Sequence, residues 1–447
     1  MILNNDNVDI VASWLRKSVL FSILLVSPIL EASPWLEAQD PFLRSSIVLL
    51  SDSGQIASPT GYYPLRWALF GDDLANGSAS ESYAVSVAAS ELQYSLDSAR
   101  LNRGNRSAKF IAATEQPINS GFGQFNKDEW GSYVSYEHLD NDYAFRITSG
   151  YSKYNDENDI RWDDSYLSLN AGAWLFSIGN IDRWWGQGWQ HNLILGSYNK
   201  ATPDISASYI NQNEWLGVWS VESFLAKPDD AIFDFHSATK VAAKPFEKLA
   251  VGVTYQAWFD DANFDQGDEQ LALDSKLTLP EIPLLGSNLL YHNVYAEVAS
   301  TAKVSQVGAW LIGWTGSFSV GLHTVRVVLE SQQSTDHHSS TPWQQPDTSR
   351  MMKAYPGGYK EASTNTYPMD ESVSAAFYLQ LHNNHNVGFS YQKSEYNQKD
   401  RFFTQVNYRL PAFAGMVHAG LSYSQLKAEA SSKENQTTFW TGYEFRF

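Results

Sequence analysis

Three tryptophans, an arginine and an aspartate lie within one run of eight residues. The run reads Asp182-Arg183-Trp184-Trp185-Gly186-Gln187-Gly188-Trp189. Sugars bind to such surfaces, because their C–H faces stack on aromatic rings while arginine and aspartate hydrogen-bond the hydroxyls or a uronate. Trp162 is predicted to lie in a neighbouring loop on the outer side of the protein and is expected at the same surface. The residue types therefore predict a glycan contact made by Trp162, Asp182, Arg183, Trp184, Trp185 and Trp189.

The same run also has a structural interpretation. Tryptophan is enriched at membrane interfaces, where it anchors a protein, and glycine permits a tight turn. In that case Arg183 pairs with carboxylates inside the protein, and the tryptophan rings pack within it. Residue types and spacing alone leave both interpretations open.

The elements that must position this run are predicted to be β-strands. In the last ten residues, Thr438 to Phe447, every second residue belongs to one mostly apolar face, which is typical of a half-buried strand. From about Ala108 onward, short runs alternate apolar and polar residues in the same way. This pattern matches the weak signal that each strand of a membrane barrel gives.

The order of the turns predicts how these strands are arranged. If the C-terminal residue lies in the periplasm, the connections alternate between outside and inside going backward along the chain. The long stretch Gln332 to Glu371 then lies outside, and residues 108–447 form an all-β transmembrane barrel of about 18 antiparallel strands.

Residues 1–32 are predicted to be a signal peptide. A basic pair, Arg16 and Lys17, precedes an apolar run from Val19 to Leu30, which is the pattern of a secretory signal. Asp6 and Asp9 are unusual in such a position and indicate a start codon placed too far upstream.

Residues 33–107 are predicted to form a small periplasmic α-helical bundle. Asp40 and Pro41 have the types preferred at a helix N-cap and first turn. A second helix is expected over Ser80 to Leu101. Such short helices bury little surface alone and need the barrel or each other.

Composition excludes several classes of function. The chain has 447 residues, no cysteine and a net charge of −18, so it forms no disulfide and lacks the basic surface that nucleic acid requires. Aromatic residues make up 14% of the chain, which suits the aromatic girdles of a membrane barrel.

The sequence resembles the capsule assembly protein Wzi family. The resemblance rests on the run from Arg183 to Trp189, on the following Leu193-Ile194-Leu195 and Pro203, and on the segment from Asp40 to Gly54. Gly121-Phe122-Gly123 and the closing strand are also similar. Two features depart from the family pattern: Gln187 replaces a usual proline, and the segment 357–370 lacks a usual arginine and Gly-His pair. Both lie in predicted outer loops, so they affect the identity of the ligand rather than the fold.

The resemblance implies an 18-stranded outer-membrane barrel of a Gram-negative bacterium with a periplasmic helical bundle. It implies a monomeric surface lectin, surrounded by outer-membrane lipid, that attaches or organises capsular or extracellular polysaccharide. It implies neither an enzyme nor a cofactor.

Two other classes of function remain as alternatives. A porin-like channel for small solutes would need a continuous wet path through the lumen. An outer-membrane enzyme would need a converged nucleophile and base, for which the sequence offers no candidate. No metal site is predicted, although the acidic segment Asp260 to Glu269, expected to be a solvated outer loop, has spacings that resemble a calcium loop.

Overall fold

The computed structural model describes residues 34–446, apart from 78–81, 102–104, 118–120, 155, 194, 198–199, 228–233, 261–262, 285–287, 302–303, 336–370, 397–398 and 429–433. The predicted signal peptide, the family-specific segment 357–370 and most of the long stretch Gln332 to Glu371 lie outside the described residues.

Three helices precede the barrel: α1 (Pro41–Asp52), α2 (Gly71–Asn76) and α3 (Tyr83–Arg100). Helix α1 begins as the sequence predicts, because the Asp40 side chain accepts hydrogen bonds from the backbone N–H groups of Phe42 and Leu43. Gly54, with a φ of 78°, follows its end. No helix among the described residues is long and apolar enough to cross a membrane.

The barrel is closed and antiparallel. Twenty hydrogen-bonded segments form it, and two of these continue a neighbouring segment against the same partner strand, so the barrel has 18 strands. In chain order they are β1 (Arg106–Ala113), β2 (Trp130–Leu139), β3 (Tyr143–Tyr154), β4 (Glu157–Arg161 and Tyr166–Ala171), β5 (Trp174–Asn180), β6 (Pro203–Asn213), β7 (Gly217–Ala226), β8 (Phe235–Phe246), β9 (Leu249–Asp260), β10 (Asn263–Thr278 and Ile282–Pro283), β11 (Leu289–Ser300), β12 (Val307–Val320), β13 (His323–Ser334), β14 (Glu371–Gln380), β15 (Asn386–Tyr396), β16 (Lys399–Ala412), β17 (Gly415–Ala428) and β18 (Glu434–Arg446). Strand β18 pairs with β1 and closes the ring. The predicted fold class is confirmed.

The two ends of the barrel differ in their connections. One end, here called the short-turn end, has brief connections, such as residues 140–142 between β2 and β3. The last residue of β18 lies at this end, and so do α1 and α3. The opposite end, here the long-loop end, carries the connection between β13 and β14 and the connection between β5 and β6. The helices therefore lie at the end that the sequence predicts for them.

Alternation along the strands puts apolar side chains outside and polar side chains inside. On β4 and β5, Leu167, Leu169, Phe176 and Ile178 are exposed on the outer surface, while Ser168 and Ser177 are buried and hydrogen-bonded to each other at 2.8 Å. A band of such side chains surrounds the barrel, as it does in a barrel whose outer surface meets lipid.

One predicted loop is wrong. Strand β10 begins at Asn263, so most of the acidic segment Asp260 to Glu269 lies in a strand rather than in an outer loop. The register explains this, because β9 and β10 pair as far as Asp260 and Asn263 and extend the hairpin through the acidic residues.

Candidate functional site

The tryptophan-rich run folds into the barrel lumen. Residues 181–193, here called the lumen segment, leave the long-loop end of β5 and turn inward. Trp184 and Trp185 are 0% exposed and Trp189 is 1% exposed. A ring without an accessible face cannot stack on a sugar, so these three rings have a structural role in this conformation.

Arg183 fixes the start of the lumen segment to the barrel wall. Its Nη1 and Nη2 donate to the two carboxylate oxygens of Asp204 on β6, at 2.6 and 3.0 Å, and its Nε donates to Glu222 on β7 at 2.9 Å. The guanidinium also lies 4.4 Å from the Phe224 ring centroid. All of its charge is thus neutralised inside the protein, with planar, bidentate geometry.

Two further wall carboxylates hold the backbone of the lumen segment. Glu297 on β11 accepts from the N–H groups of Gly188 at 2.7 Å and Leu193 at 3.3 Å. Glu330 on β13 accepts from the N–H groups of Trp189, Gln190 and His191. Two carboxylates thus accept from five backbone N–H groups of the lumen segment, which gives the segment a defined conformation deep in the barrel.

The lumen segment packs directly on the N-terminal region. Trp184 and Trp185 form a short antiparallel pairing with Tyr62 and Tyr63. Arg44 of α1 donates to the carbonyl oxygens of Gly188 at 2.9 Å and Gln187 at 3.0 Å.

The Arg44 guanidinium has aromatic rings on either side rather than a carboxylate. It lies 4.4 Å from the ring centroids of both Phe122 and Trp189. Cation–π attraction is strong where water is excluded, so Arg44 couples α1 to the lumen segment.

Helix α1 forms a second layer inside the barrel, nearer the short-turn end. Four basic wall residues hold it: Lys244, Lys276, Arg326 and Arg409. Arg409 pairs with Asp40 at 2.6 Å, Lys276 pairs with Asp52 at 3.2 Å, and Arg326 donates to Ser45. Lys244 donates to the carbonyl of Ile56 just beyond the helix.

The two layers use wall residues of opposite charge. Basic residues close to the short-turn ends of their strands hold α1. Five acidic wall residues hold the lumen segment: Asp204, Glu222, Asp274, Glu297 and Glu330. Together the layers fill the lumen between these strands.

Two other side chains of the lumen segment, His191 and Asp182, are buried and have shifted pKa values. Burial lowers the pKa of His191 to about 3, and Arg401 acts in the same direction. The imidazole is therefore neutral at physiological pH. Its Nε2 forms a hydrogen bond with the Ser372 hydroxyl, at an Nε2–Oγ distance of 2.9 Å. Burial raises the pKa of the Asp182 carboxyl, although Lys127, 2.6 Å away, opposes the shift.

Trp162 was predicted to lie in an outer loop, and this prediction is wrong. Arg161 pairs with Gly150 and Tyr166 pairs with Arg146, both on β3, so Trp162 lies in a bulge that interrupts β4 within the barrel wall. Its side chain is 55% exposed. The bulge arises because four residues, 162–165, face only three on β3, and Asp164 adopts a φ of 60°.

The structure thus brings Asp182, Arg183, Trp184, Trp185 and Trp189 together but places Trp162 on the wall. Gln187, which departs from the family pattern, is also inside rather than in an outer loop. It is buried and donates to Asp274 at 2.7 Å. Among the described residues, no group of three or more metal-ligating side chains could hold an ion.

These five wall carboxylates are the residues that sequence reasoning missed. Each is a single acidic side chain on the inward face of an alternating strand. An inward charge in a membrane barrel needs a partner, and that signal could have identified them. It could not have identified the partner, which lies between 21 and 141 residues away in the chain.

We expect little or no ion conductance from the purified wild-type protein, because α1 and the lumen segment occupy the barrel. Planar-bilayer recording measures this directly. Stable openings of porin size would instead favour the channel alternative.

Comparison with known proteins agrees with this geometry. The family model described as capsule assembly protein Wzi matches residues 99–260. Among solved structures, Wzi of Escherichia coli superposes with a TM-score of 0.77 over 92% of this chain and 99% of that chain, at 16% identity. The resemblance to the Wzi family is confirmed.

Other solved barrels are less similar. Pseudomonas aeruginosa OpdK has 12% identity and a TM-score of 0.47, covering 76% of this chain and 98% of its own. OccD1 (OprD) has 10% identity and a TM-score of 0.48, covering 76% and 94%. No curated protein matches the sequence at a significant level. The E. coli Wzi structure is described as an outer-membrane, carbohydrate-binding β-barrel involved in group 1 capsule assembly.

Proposed function

We propose that this protein is an outer-membrane barrel that binds capsular or extracellular polysaccharide and holds it at the cell surface. The observation that carries the proposal is a Wzi-like fold over nearly the whole chain, combined with a lumen filled by two layers. A filled lumen suits a binding protein better than a diffusion channel. The short-turn end faces the periplasm, and the long-loop end faces outward.

The outer surface supports the membrane location. Exposed apolar side chains, such as Ile147 on β3 and Phe389 on β15, occur around the barrel, where lipid would cover them. Trp130 and Tyr151 lie toward the long-loop end, with ring centroids 5.5 Å apart. Trp162 is near them on the wall, and an aromatic girdle at the outer interface is a role that fits its exposure.

We propose that the lumen segment supports the glycan surface from below. In this arrangement Arg183, Trp184, Trp185 and Trp189 fix the floor of the outer vestibule, and Asp182 with Trp162 remain candidates for direct contact. The protein acts as a monomer without catalysis, without a cofactor and without nucleic acid.

A glycan array probed with the purified, folded barrel tests the proposal. We expect binding to a restricted set of bacterial polysaccharides and no binding by the heat-unfolded protein, which has the same composition. In cells lacking the protein, capsule should shift from the cell pellet to the medium, and the wild-type gene should restore it. Failure to bind any polysaccharide, with normal capsule retention, would contradict the proposal.

A further inference from the structure

A small cavity lies at the short-turn end, between the N-terminal region and the barrel wall. It measures about 510 Å³, including its open mouth. Residues of β2, β3, β4 and β5 form one side of it, and α3 with residues 66–68 forms the other. Here it is called the basal cavity. A cavity of this size suits a small molecule rather than a polymer.

Most of the lining is apolar, because the basal cavity lies where two hydrophobic clusters meet. Trp67 and Leu96 belong to the main cluster, which includes buried residues of α1 and α3. Leu139, Ala144 and Leu175 belong to a smaller cluster on the inner face of β2 to β5. All five side chains line the cavity. The apolar part of a ligand would therefore be removed from water between the two clusters, which favours binding.

One buried cation in the lining has no carboxylate partner. Arg66 is 5% exposed, and its Nη1 donates to the carbonyl oxygen of Ala173 at 2.9 Å and to Ser208 on β6. These are its hydrogen bonds to the described residues, and none of their acidic side chains forms an ion pair with it. Because a buried charge without a counter-charge is costly, an anion in the basal cavity would stabilise this arginine.

The unbonded edge of Arg66 matches a carboxylate. The wall holds Nη1, which leaves Nε and Nη2 as two parallel donors. A carboxylate can accept from both at once, with one oxygen on each nitrogen. The adjacent Trp67 also has a buried Nε1 without a hydrogen-bond partner, so a second donor beside Arg66 lacks an acceptor.

The charge of the lining also favours an anion. Arg66 and Arg100 line the basal cavity, and Asp140 is the one carboxylate among the lining residues. Asp140 is exposed and accepts from the backbone N–H of Asn141 at 2.7 Å. Cationic side chains thus outnumber carboxylates here, whereas the chain as a whole carries a net charge of −18.

We infer that the basal cavity binds a small monocarboxylate with an apolar body, such as a short aliphatic acid. Arg66 holds the carboxylate through Nε and Nη2, and the apolar body lies against Leu96, Leu139 and Leu175. The ligand enters and leaves at the short-turn end. This inference goes beyond polysaccharide binding and does not depend on it.

The test is binding of hexanoate with a trifluoromethyl end to the purified wild-type barrel in detergent, followed by fluorine NMR. We expect saturable line broadening beyond that produced by empty micelles, and competition by unlabelled hexanoate. The alcohol with the same labelled chain should show no such broadening, because it has no carboxylate for Arg66. Equal binding of the acid and the alcohol, or no saturable binding of the acid, would overturn the inference.

Arg66→Gln should weaken hexanoate binding by about tenfold or more, because two hydrogen bonds to a charged group are lost. Arg66→Lys keeps the charge but not the paired donors, so its affinity should lie between those of Arg66→Gln and the wild type. Arg446→Gln is the matched control, since Arg446 lies at the same end, pairs with Glu444 at 2.6 Å and does not line the basal cavity. It should bind like the wild type. Unchanged binding by Arg66→Gln would contradict the assignment of Arg66.

A second variant, Ala144→Leu, leaves Arg66 and its wall contacts in place. Ala144 is 4% exposed and lines the basal cavity from β3, so a larger side chain there takes the space of the apolar body. We expect hexanoate binding to be lost while the heat-resistant barrel form is kept, which separates ligand binding from any loosening of the Arg66 contacts. A folded Ala144→Leu barrel that binds hexanoate as the wild type does would also overturn the inference. Glycan binding, measured on the same samples, reports separately on the proposed function.

Discussion

Arg183→Ala should lose the heat-resistant barrel form. The substitution leaves Asp204 and Glu222 buried and unpaired, since Arg183 supplies the charge-assisted bonds to both. Breaking a buried ion pair by removing one partner costs about 3 to 5 kcal/mol. The loss should appear as a lower unfolding temperature in detergent and as a shift from the compact to the unfolded band after mild heating.

The combination Arg183→Ala, Asp204→Asn, Glu222→Gln is the informative control. It removes the same cation but leaves no unpaired charge, so it should recover much of the stability. If Arg183→Ala instead keeps full heat resistance and only releases capsule from the cell, Arg183 contacts the polysaccharide and the structural interpretation fails. Trp185→Ala should behave like Arg183→Ala, because the Trp185 ring is fully buried against Phe224.

The double variant Glu297→Ala, Glu330→Ala should open the barrel. It removes the acceptors of five backbone N–H groups, those of Gly188, Leu193 and the run 189–191. Each buried donor left without a partner costs about 1 to 3 kcal/mol, so the lumen segment should leave its site and water should take its place. We expect stable conductance steps of porin size, which the wild type should lack.

Glu371→Ala is a suitable comparison, because Glu371 is an exposed carboxylate at the long-loop end of β14. It should conduct no more than the wild type. Uptake of a labelled oligosaccharide into liposomes gives an independent readout. A closed double variant with an intact barrel would mean that the tryptophan packing alone holds the segment.

The fold was predictable because it depends on local alternation. The type of each residue indicates which side of the strand it faces: Leu167 and Leu169 are apolar and face outward, and Ser168 is polar and faces the lumen. The same alternation recurs along the strands of the barrel. The N-cap at Asp40 is likewise a local feature.

The position of the lumen segment was not predictable in the same way. Its run looks like an exposed aromatic loop, and only its partners reveal that it is buried. Those partners are Glu297 and Glu330, more than a hundred residues later. Trp162 was misplaced for a related reason. The polar run Asp163-Asp164-Ser165 beside it has the residue types of a solvated loop, and only the pairing of Arg161 and Tyr166 with β3 shows that it is a bulge in the wall.

The attachment of the lumen segment also has a mechanical meaning. A polymer held above it would pull outward whenever the cell meets shear. The pull would reach the wall at two separate places, through Arg183 to β6 and β7, and through Glu297 and Glu330 to β11 and β13. Bonds that share a force in parallel break less readily than bonds loaded one after another. A surface tether built this way would transmit tension into the whole barrel instead of unravelling a single loop.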